Sequence, residues 1–464
     1  MRTTNSKRLR RQILTSLLVA GTIGLAGMAG TAQAAIVTDQ YDTTKPIAID
    51  NTTEATTFYG NKLLTENLTI TELKDNTLHP TTGQWTALGG GLYGEGFFSA
   101  EQLAPVSQKI TFDNATISGN KVIADYDYAR AGGGAMFLKG TDATFKDVSI
   151  TDNTAEGRFA YGGAVYTDYK GNTAIVDGKK YPYTIPTTVT FIATKDGAYT
   201  GNDVKAIDGN YQRVDDIGNA HIATTSGGFL AMDPNTSATF DVENDATLTI
   251  GKTTPATSNE DTISSFVPMV GFTASLATPY MTKTGTGTLT INSNLNKYHG
   301  LFTIDGGTVN LVPDLLIDNT YTVQQGTLNM GNVTVSDLDA KYTVGDIPHT
   351  NNGDGTLTVT SDEGNPRSVP NGIGSLVTAA GTTTTAQNVT VNHGASLNAQ
   401  GLLTISGNLE ADAATVTAAN ATIGGTVSAA NKAAVSLGGS NLSLSKINVD
   451  NTSGVTLTGG TLAY

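Results

Sequence analysis

Residues 283–312, KTGTGTLTINSNLNKYHGLFTIDGGTVNLV, contain three short stretches of alternating side chains separated by glycine turns. Leu289 and Ile291 point to one face of the first predicted strand, and threonine fills the alternate positions. The second and third strands carry equivalent pairs, Phe302 with Ile304 and Val309 with Leu311. Val309 follows Leu289 by 20 residues, a spacing that places one strand directly above its predecessor in a parallel β-helix. This stretch therefore predicts one coil of a β-solenoid.

A second repeat occurs in the first half of the chain. Two ten-residue segments have side chains of similar character at each position: TFDNATISGN at 111–120 and TFKDVSITDN at 144–153. Their phenylalanines, Phe112 and Phe145, are 33 residues apart. Similar units lead to Thr190-Phe191 and Thr239-Phe240, although the last unit lacks the asparagine. A pair of β-sandwiches, the alternative fold, predicts turns every 8–12 residues without such copies. We therefore predict an all-β chain that forms a right-handed parallel β-helix.

Glycines and asparagines mark the corners of these units. Paired glycines supply positive φ and let successive backbones approach closely, while asparagine tolerates the left-handed conformation and bonds turn backbone. The predicted structural-repeat residues are Gly133, Gly134, Gly162, Gly163, Gly227, Gly228, Asn120, Asn153 and Asn202.

Both repeats resemble those of known exported proteins. The stretch 283–312 resembles the autotransporter-associated β-strand repeat in two motifs, K-x-G-x-G-T-L-T-I and G-G-T-V-N-L. A partial copy of this repeat lies at Gly326–Met330. The alternation of G-G-A-apolar with F/I/Y-x-x-N is similar to the repeats of polymorphic outer-membrane proteins, although most units here carry Ile or Tyr in place of Phe. Both resemblances imply a passenger region of a type V secretion protein, or autotransporter.

The N-terminus independently predicts export. Five basic residues precede the apolar run Ile13–Ala29, which is followed by Ala32-Gln33-Ala34, an A-x-A processing site. We expect a signal peptide that is cleaved before Ala35 and the general secretory route. The predicted organisation is a signal peptide at 1–34, a cap with first coils at 35–88, β-helix at 89–250, a linker or loop excursion at 251–280 and β-helix at 281–464. The cap would include Trp85, and Lys170–Pro186 and Lys205–His221 are predicted to be loops that protrude from the stack.

The amino-acid composition of the chain limits which molecules it can bind. The chain has no cysteine, so neither disulfides nor thiolate metal sites hold its fold. Without the five basic residues of the signal, 22 basic and 41 acidic residues remain, a balance of −19. Nucleic acid is excluded as a partner because phosphate binding needs a basic surface.

The sequence contains no motif that predicts a catalytic, cofactor-binding or metal-binding residue. The histidines are scattered, without a second ligand at metal-binding spacing: His79, His221, His299, His349 and His393. The nearest candidates for a paired-carboxylate hydrolase are Asp125-Tyr126-Asp127 and Asp215-Asp216, which lie in tyrosine-bearing loops. Gly353-Asp354-Gly355 is interpreted as an ordinary turn rather than a calcium motif.

These observations predict a surface-exposed or secreted bacterial adhesin passenger that is not an enzyme. Its expected partners are a host-surface or matrix ligand, a glycan or another copy of itself, and an outer-membrane translocator barrel that is not present in this chain. Too few aromatic residues lie in 283–464 for the girdles of such a barrel. The alternatives are a β-helix polysaccharide-degrading enzyme and a two-partner-secreted exoprotein of the filamentous haemagglutinin kind.

Overall fold

The structure is a computed structural model. It describes residues 57–463, with gaps at 63–66, 75–76, 79–85, 100–101, 126–129, 208–211, 215–219, 223, 256, 267–276, 345–348, 361–365, 440, 444 and 460. The predicted signal peptide, Trp85, His79, Asp127, Asp215 and Asp216 lie outside the described residues.

Strands account for nearly all of the regular structure in the described residues. The strands up to residue 265 are β1 (Thr57–Lys62), β2 (Asn67–Lys74), β3 (Thr77–Leu78), β4 (Thr86–Glu95), β5 (Phe97–Ser99), β6 (Ala104–Val106), β7 (Gln108–Ser118), β8 (Lys121–Ala124), β9 (Arg130–Gly132), β10 (Met136–Lys139), β11 (Thr141–Lys146), β12 (Ser149–Thr151), β13 (Thr154–Gly157), β14 (Phe159–Tyr161), β15 (Val165–Asp168), β16 (Lys170–Val176), β17 (Lys179–Ile185), β18 (Thr187–Ala193), β19 (Gly197–Thr200), β20 (Asp203–Ala206), β21 (Gln212–Val214), β22 (Ala220–Ile222), β23 (Thr224–Ser226), β24 (Leu230–Met232), β25 (Thr236–Val242), β26 (Thr247–Ile250) and β27 (Ile263–Ser265).

The later strands include one short helix among them. They are β28 (Tyr280–Thr284), β29 (Thr288–Ile291), β30 (Leu301–Leu311), β31 (Leu315–Ile317), β32 (Thr320–Met330), β33 (Asn332–Val335), α1 (Leu338–Val344), β34 (His349–Asn351), β35 (Thr356–Thr360), β36 (Pro366–Pro370), β37 (Ser375–Thr378), β38 (Thr383–Ala386), β39 (Asn388–Asn392), β40 (Ser396–Ile405), β41 (Leu409–Asp412), β42 (Thr415–Ile423), β43 (Thr426–Ala430), β44 (Ala434–Gly438), β45 (Asn441–Ser443), β46 (Lys446–Val449), β47 (Gly454–Thr458) and β48 (Thr461–Ala463).

The sequence favours strands because β-branched and apolar residues alternate with polar ones. In β18, Val189 and Phe191 are buried, while Thr188 and Thr190 lie half-buried on the other face. Successive side chains of a strand point to opposite faces, so this alternation puts the apolar set inside the coil. The same pattern recurs in β40 and β42, where small and aliphatic residues take the inward positions.

Parallel pairing in register stacks the coils. Phe112 pairs with Phe145, which pairs in turn with Phe191. Further along the chain, Leu289 pairs with Val309 and Ile291 with Leu311. Both predicted repeat spacings therefore correspond to stacked strands, and the parallel β-helix prediction is confirmed.

In the described residues, four larger parallel sheets form the walls, and a parallel pair, β45 with β48, lies in the last coils. The long sheet contains β2, β7, β11, β12, β18, β19, β25, β26, β28, β29, β30, β32, β37, β38, β40, β42, β44 and β47. The glycine sheet contains β1, β4, β9, β10, β14, β15, β23, β24 and β27, and the short sheet contains β3, β8, β13 and β20. In the later coils, the C-terminal sheet contains β31, β33, β39, β41, β43 and β46.

Antiparallel excursions leave this stack. The segment predicted as a loop at 170–186 forms instead the hairpin β16–β17, and the described parts of 205–221 include the strands of the hairpin β21–β22. The predicted linker or loop excursion at 251–280 needs a correction, because Ile263–Ser265 pairs in register with β24 and so belongs to a coil. The three-stranded antiparallel sheet β34–β36 follows α1.

Phenylalanine rings stack through the first half of the core. The ring centroids of Phe112 and Phe145 are 4.9 Å apart, those of Phe145 and Phe191 are 4.8 Å apart, and those of Phe191 and Phe240 are 5.1 Å apart. Such stacks add favourable aromatic contacts to the burial of apolar area. The next position in this column is Lys283, which pairs with Phe240 on one side and with Ile304 on the other.

Lys283 is buried, so its ammonium needs internal acceptors. Its Nζ donates to the carbonyl oxygens of Thr284 at 2.6 Å and Gly285 at 2.9 Å. Burial lowers the pKa of Lys283 to about 8. A lysine bonded to backbone carbonyls therefore ends the aromatic column where the later coils begin.

Candidate functional site

Three predicted repeat asparagines form a buried column that we call the asparagine ladder: Asn120, Asn153 and Asn202. Each is 0% exposed. Asn120 Nδ2 donates to Asn153 Oδ1 at 2.9 Å, and Asn153 Nδ2 donates to Asn202 Oδ1 at 2.9 Å. Each Nδ2 also donates to backbone carbonyls, for example Asn202 to Ile150 O at 3.0 Å. The ladder satisfies the polar groups of the corner between the long sheet and the short sheet.

Positive φ occurs one residue earlier than expected. The sequence pattern predicts the left-handed conformation at the asparagines, whereas the structure has it at Gly119, Asp152 and Gly201, with φ of 67°, 58° and 78°. The asparagines are thus free to turn their side chains inward and bond one another.

Asp261 extends the ladder, and the sequence analysis missed it. Its Oδ1 accepts from Asn202 Nδ2 at 3.0 Å and from the backbone N–H of Asn202 at 2.9 Å, and its Oδ2 accepts from Gly201 N–H at 2.8 Å. Burial raises the pKa of Asp261 to about 6, although these hydrogen bonds oppose the shift. The carboxyl therefore occupies the position where the last repeat unit lacks an asparagine.

The double glycines lie where the glycine sheet turns. Gly133 has φ of 68°, which favours glycine. An added Cβ on Gly134 would come within 2.0 Å of the carbonyl oxygen of Gly163 in the next coil, so no larger residue fits. The same two positions recur in the following coils as Gly162 with Gly163 and Gly227 with Gly228.

A buried charge cluster joins α1 to the stack. Lys341 Nζ lies 2.9 Å from Asp318 Oδ1, and His299 Nδ1 lies 2.8 Å from Asp318 Oδ2. Burial raises the pKa of Asp318, but Lys341 and His299 outweigh it, so the pKa lies below its ordinary value. His299 and Asp318 are 19 residues apart, the spacing of neighbouring coils here. That spacing could have indicated their contact, whereas the position of Lys341 on a helix gave no such signal.

The carboxylate candidates do not form a catalytic pair in the described residues. Asp125 is exposed, and the rest of that motif lies outside the described residues. A different pair of carboxylates, Asp168 and Asp233, lie near each other. Burial, together with the charge of Asp168, raises the pKa of Asp233. Tyr166 Oη donates to Asp233 at 3.2 Å, and Lys139 Nζ lies 3.1 Å from Asp168 Oδ2.

The described residues contain neither a metal-binding group of side chains nor a membrane-spanning helix. His349 contacts the carboxylate of Asp339, and His393 contacts that of Asp337. Within the described residues, no three His, Asp or Glu side chains gather as a metal-binding group. No helix in the described ranges has the length and hydrophobicity that a membrane span requires.

The hairpin β16–β17 is the most prominent exposed candidate for molecular contact. Its tyrosines Tyr181 and Tyr183 lie beside Phe98 of β5, with ring centroids 5.7 Å and 5.3 Å from the Phe98 ring. Ile175 near the hairpin turn is 67% exposed. At the base, Lys170 forms an ion pair with Glu95 of β4, which fixes the hairpin to a coil two layers away. Half-buried aromatic side chains and an exposed aliphatic one on a supported hairpin are typical of a protein contact surface.

Comparison with known proteins gives one partial similarity. Over 165 residues, the chain is 31% identical to the probable autotransporter YfaL of Escherichia coli strain K12. That region is 36% of this chain and 10% of the relative, so the chain spans about a tenth of the relative's length. No protein-family model matches the chain, and no solved structure matches it.

Proposed function

We propose that this chain is part of an autotransporter-like passenger, exported from a bacterium and held at the cell surface or released outside. The partial identity to a probable autotransporter supports this proposal, as does a stack of parallel coils without cysteine. An outer-membrane translocator is then the expected partner for export.

The proposed activity is attachment or self-association through the hairpin β16–β17. The observation that carries it is the cluster of Phe98, Tyr181 and Tyr183 on one face of the hairpin, with Ile175 exposed on the opposite face. Tyrosine supplies a large contact area at low conformational cost, so such a cluster can anchor a partner. The hairpin β21–β22 is a second contact region under this proposal.

We propose binding rather than catalysis. Sugar hydrolysis by two carboxylates needs a separation of about 5–9.5 Å, so that the substrate fits between them. The carboxylates of Asp168 and Asp233 are instead engaged with protein side chains, since Tyr166 Oη donates to Asp233 at 3.2 Å and Lys139 Nζ lies 3.1 Å from Asp168 Oδ2. A two-partner-secreted exoprotein stays the alternative for the export route.

The test shortens the hairpin without removing its base. Replacing Asn172–Tyr183 by Asn-Gly joins Gly171 to Thr184, which are paired residues, through a two-residue turn. Lys170 and Ile185 remain in place. Bacteria that display this variant should attach to matrix-coated surfaces or clump at least about tenfold less, as expected when interface anchors are lost.

The matched control shortens a different hairpin. Replacing Asn352–Thr356 by Asn-Gly joins Asn351 to Leu357, which are paired in β34–β35. This variant should attach like the parent at equal surface amounts. Equal attachment by both variants and by the parent would refute the hairpin as the contact surface. Polysaccharide cleavage that Asp233→Asn abolishes would favour an enzyme.

A further inference from the structure

A groove of about 440 Å³ lies on the long sheet, away from the hairpin β16–β17. Strands β7, β12, β18 and β19 line it, together with Leu248 of β26. Its volume is within the range of pockets that hold small molecules. Ala115, Val148, Ala193 and Leu248 in its lining belong to the core, so the apolar surface open to a ligand comes from the half-buried Ile192 and the exposed Ala198.

One enlarged turn forms the rim of this groove. Thr194 N–H donates to Asp147 Oδ1 at 2.8 Å, and Thr194 Oγ1 donates to Asp147 Oδ2 at 2.7 Å. Lys195 Nζ donates to Asn114 Oδ1 at 2.9 Å, which connects this turn to a coil two layers away. Asp196 Oδ1 accepts from the backbone N–H of Thr247 at 2.8 Å. Hydrogen bonds to three other coils thus hold the turn in place, so a ligand would meet a preformed rim.

Four hydroxyl groups line the groove with their hydrogen-bonding capacity unused. Thr116 pairs with Ser149, and Thr151 pairs with Thr200, so the hydroxyls lie in two adjacent rows. In the part of the chain that the structure describes, none of these four side chains has a hydrogen-bond partner. Each hydroxyl can donate one hydrogen bond and accept two.

We propose that this groove binds a neutral oligosaccharide. Sugar hydroxyls both donate and accept, which matches the rows of threonine and serine, and the carbon-bound hydrogens of a sugar ring can pack on Ile192 and Ala198. Two carboxylates and one ammonium line the groove, those of Asp147, Asp196 and Lys195. The excess negative charge disfavours acidic sugars. This inference deepens the proposed function, on which it rests, by naming a ligand class.

A single groove binds its sugar weakly. Its one aromatic lining residue, Tyr199, is 1% exposed and belongs to the core, so it offers no open ring for stacking. Many copies on one cell surface raise the effective strength, because each further contact is then made at high local concentration. The groove therefore suits attachment to a repetitive glycan surface.

The test measures binding of the purified chain to linear oligosaccharides of unsubstituted hexoses and N-acetylhexosamines, with an oligomer of uronic acids for comparison. The double variant Thr151→Val and Thr200→Val keeps side-chain shape but removes two groove hydroxyls. Losing two hydrogen bonds should lower the affinity by about tenfold or more. Thr144→Val is the control, since Thr144 lies half-buried on the same sheet outside the groove and should leave affinity unchanged.

Thermal unfolding of each variant identifies any loss of fold. The double variant should unfold like Thr144→Val, because its hydroxyls have no partner in the described chain. Equal affinity of both variants, no binding to any neutral oligosaccharide, or preference for the uronic-acid oligomer would each overturn the inference. None of these results depends on export or on the hairpin, so they leave the proposed attachment function standing.

Discussion

The earlier coils, up to Ser265, and the later coils, from Tyr280, use one fold with two kinds of interior. Repeats in the earlier coils are 33 to 49 residues apart along the asparagine ladder. Apart from the step that contains α1 and β34–β36, spacings in the later coils are 18 to 21 residues. The earlier coils bury aromatic rings and amides, whereas later columns such as Val416 with Val435 are aliphatic.

Coil size explains this difference. A large coil encloses more volume, so it needs phenylalanine to fill the centre and a buried ladder to satisfy its corner. In the small coils, asparagine bonds form at the surface, as between Asn388 Nδ2 and Asn332 Oδ1 at 2.8 Å. The earlier coils should therefore be more sensitive to substitution.

The largest expected effect comes from the aromatic column. Phe145→Ala removes a ring that stacks on two others, and we expect the free energy of unfolding to fall by about 4 kcal/mol. Val416→Ala in a later coil should cost less than half as much, because it removes fewer buried atoms. Denaturant unfolding measures both. Equal costs would contradict the proposed difference between the two interiors.

The second-largest expected effect comes from the buried asparagine ladder, compared with a pair of asparagines nearer the surface. Asn153→Ala removes the acceptor for Asn120 and leaves the carbonyls of Ile117 and Thr151 without their amide donor, so we expect a loss of about 3 kcal/mol. Asn388→Ala breaks comparable bonds near solvent and should cost about 1 kcal/mol or less. Hydrogen exchange of the amides around Asn120 should also accelerate in the first variant. Similar losses for both would show that burial of the ladder has little effect.

The smallest expected effect is a change in the free energy of unfolding with pH. Because the pKa of Asp261 is raised to about 6 in the folded chain, the native state keeps a proton that the unfolded state loses near pH 4. The free energy of unfolding should thus fall as the pH rises from about 4 to 7, by about 1–2 kcal/mol from this group. Asp261→Asn should remove that part of the slope in denaturant titrations at several pH values.

Asp450 in the later coils provides the control for this titration. Its pKa lies below the ordinary value because it accepts hydrogen bonds from Asn431, Ser453 and Thr452. Any stability that it contributes is present above pH 4 and is lost below it, so Asp450→Asn should leave the slope from pH 4 to 7 unchanged. An Asp261→Asn variant with the parental slope would refute the assignment.

Much of the fold was predictable because its causes are local. Alternation in 283–312 and the repeat of Phe112 at Phe145 depend on side-chain direction and coil length, which sequence spacing reports directly. Asp261 was not predictable in this way. It follows Asn202 by 59 residues, since the chain leaves the stack between them, and no fixed period connects the two positions.

The candidate surfaces were predictable only in part. Tyrosine and lysine in 170–186 indicated an exposed excursion, but its antiparallel pairing and the contact with Phe98 depend on tertiary structure. The groove depends on a turn at 194–196 that bonds to three other coils, and nothing in the local sequence reports those bonds.

Lys341 limits how the segment containing α1 could be exchanged between related solenoids. The stack itself would tolerate the removal of 337–373, because Tyr321 of β32 pairs directly with Leu376 of β37. Removal would also take away the ammonium that faces Asp318 and leave a buried carboxylate beside His299. Removing one partner of a buried ion pair is strongly destabilising, because the other charge stays buried without compensation. A graft at this position must therefore bring its own cation or replace Asp318, whereas the hairpin β16–β17 can be exchanged above its base without that requirement.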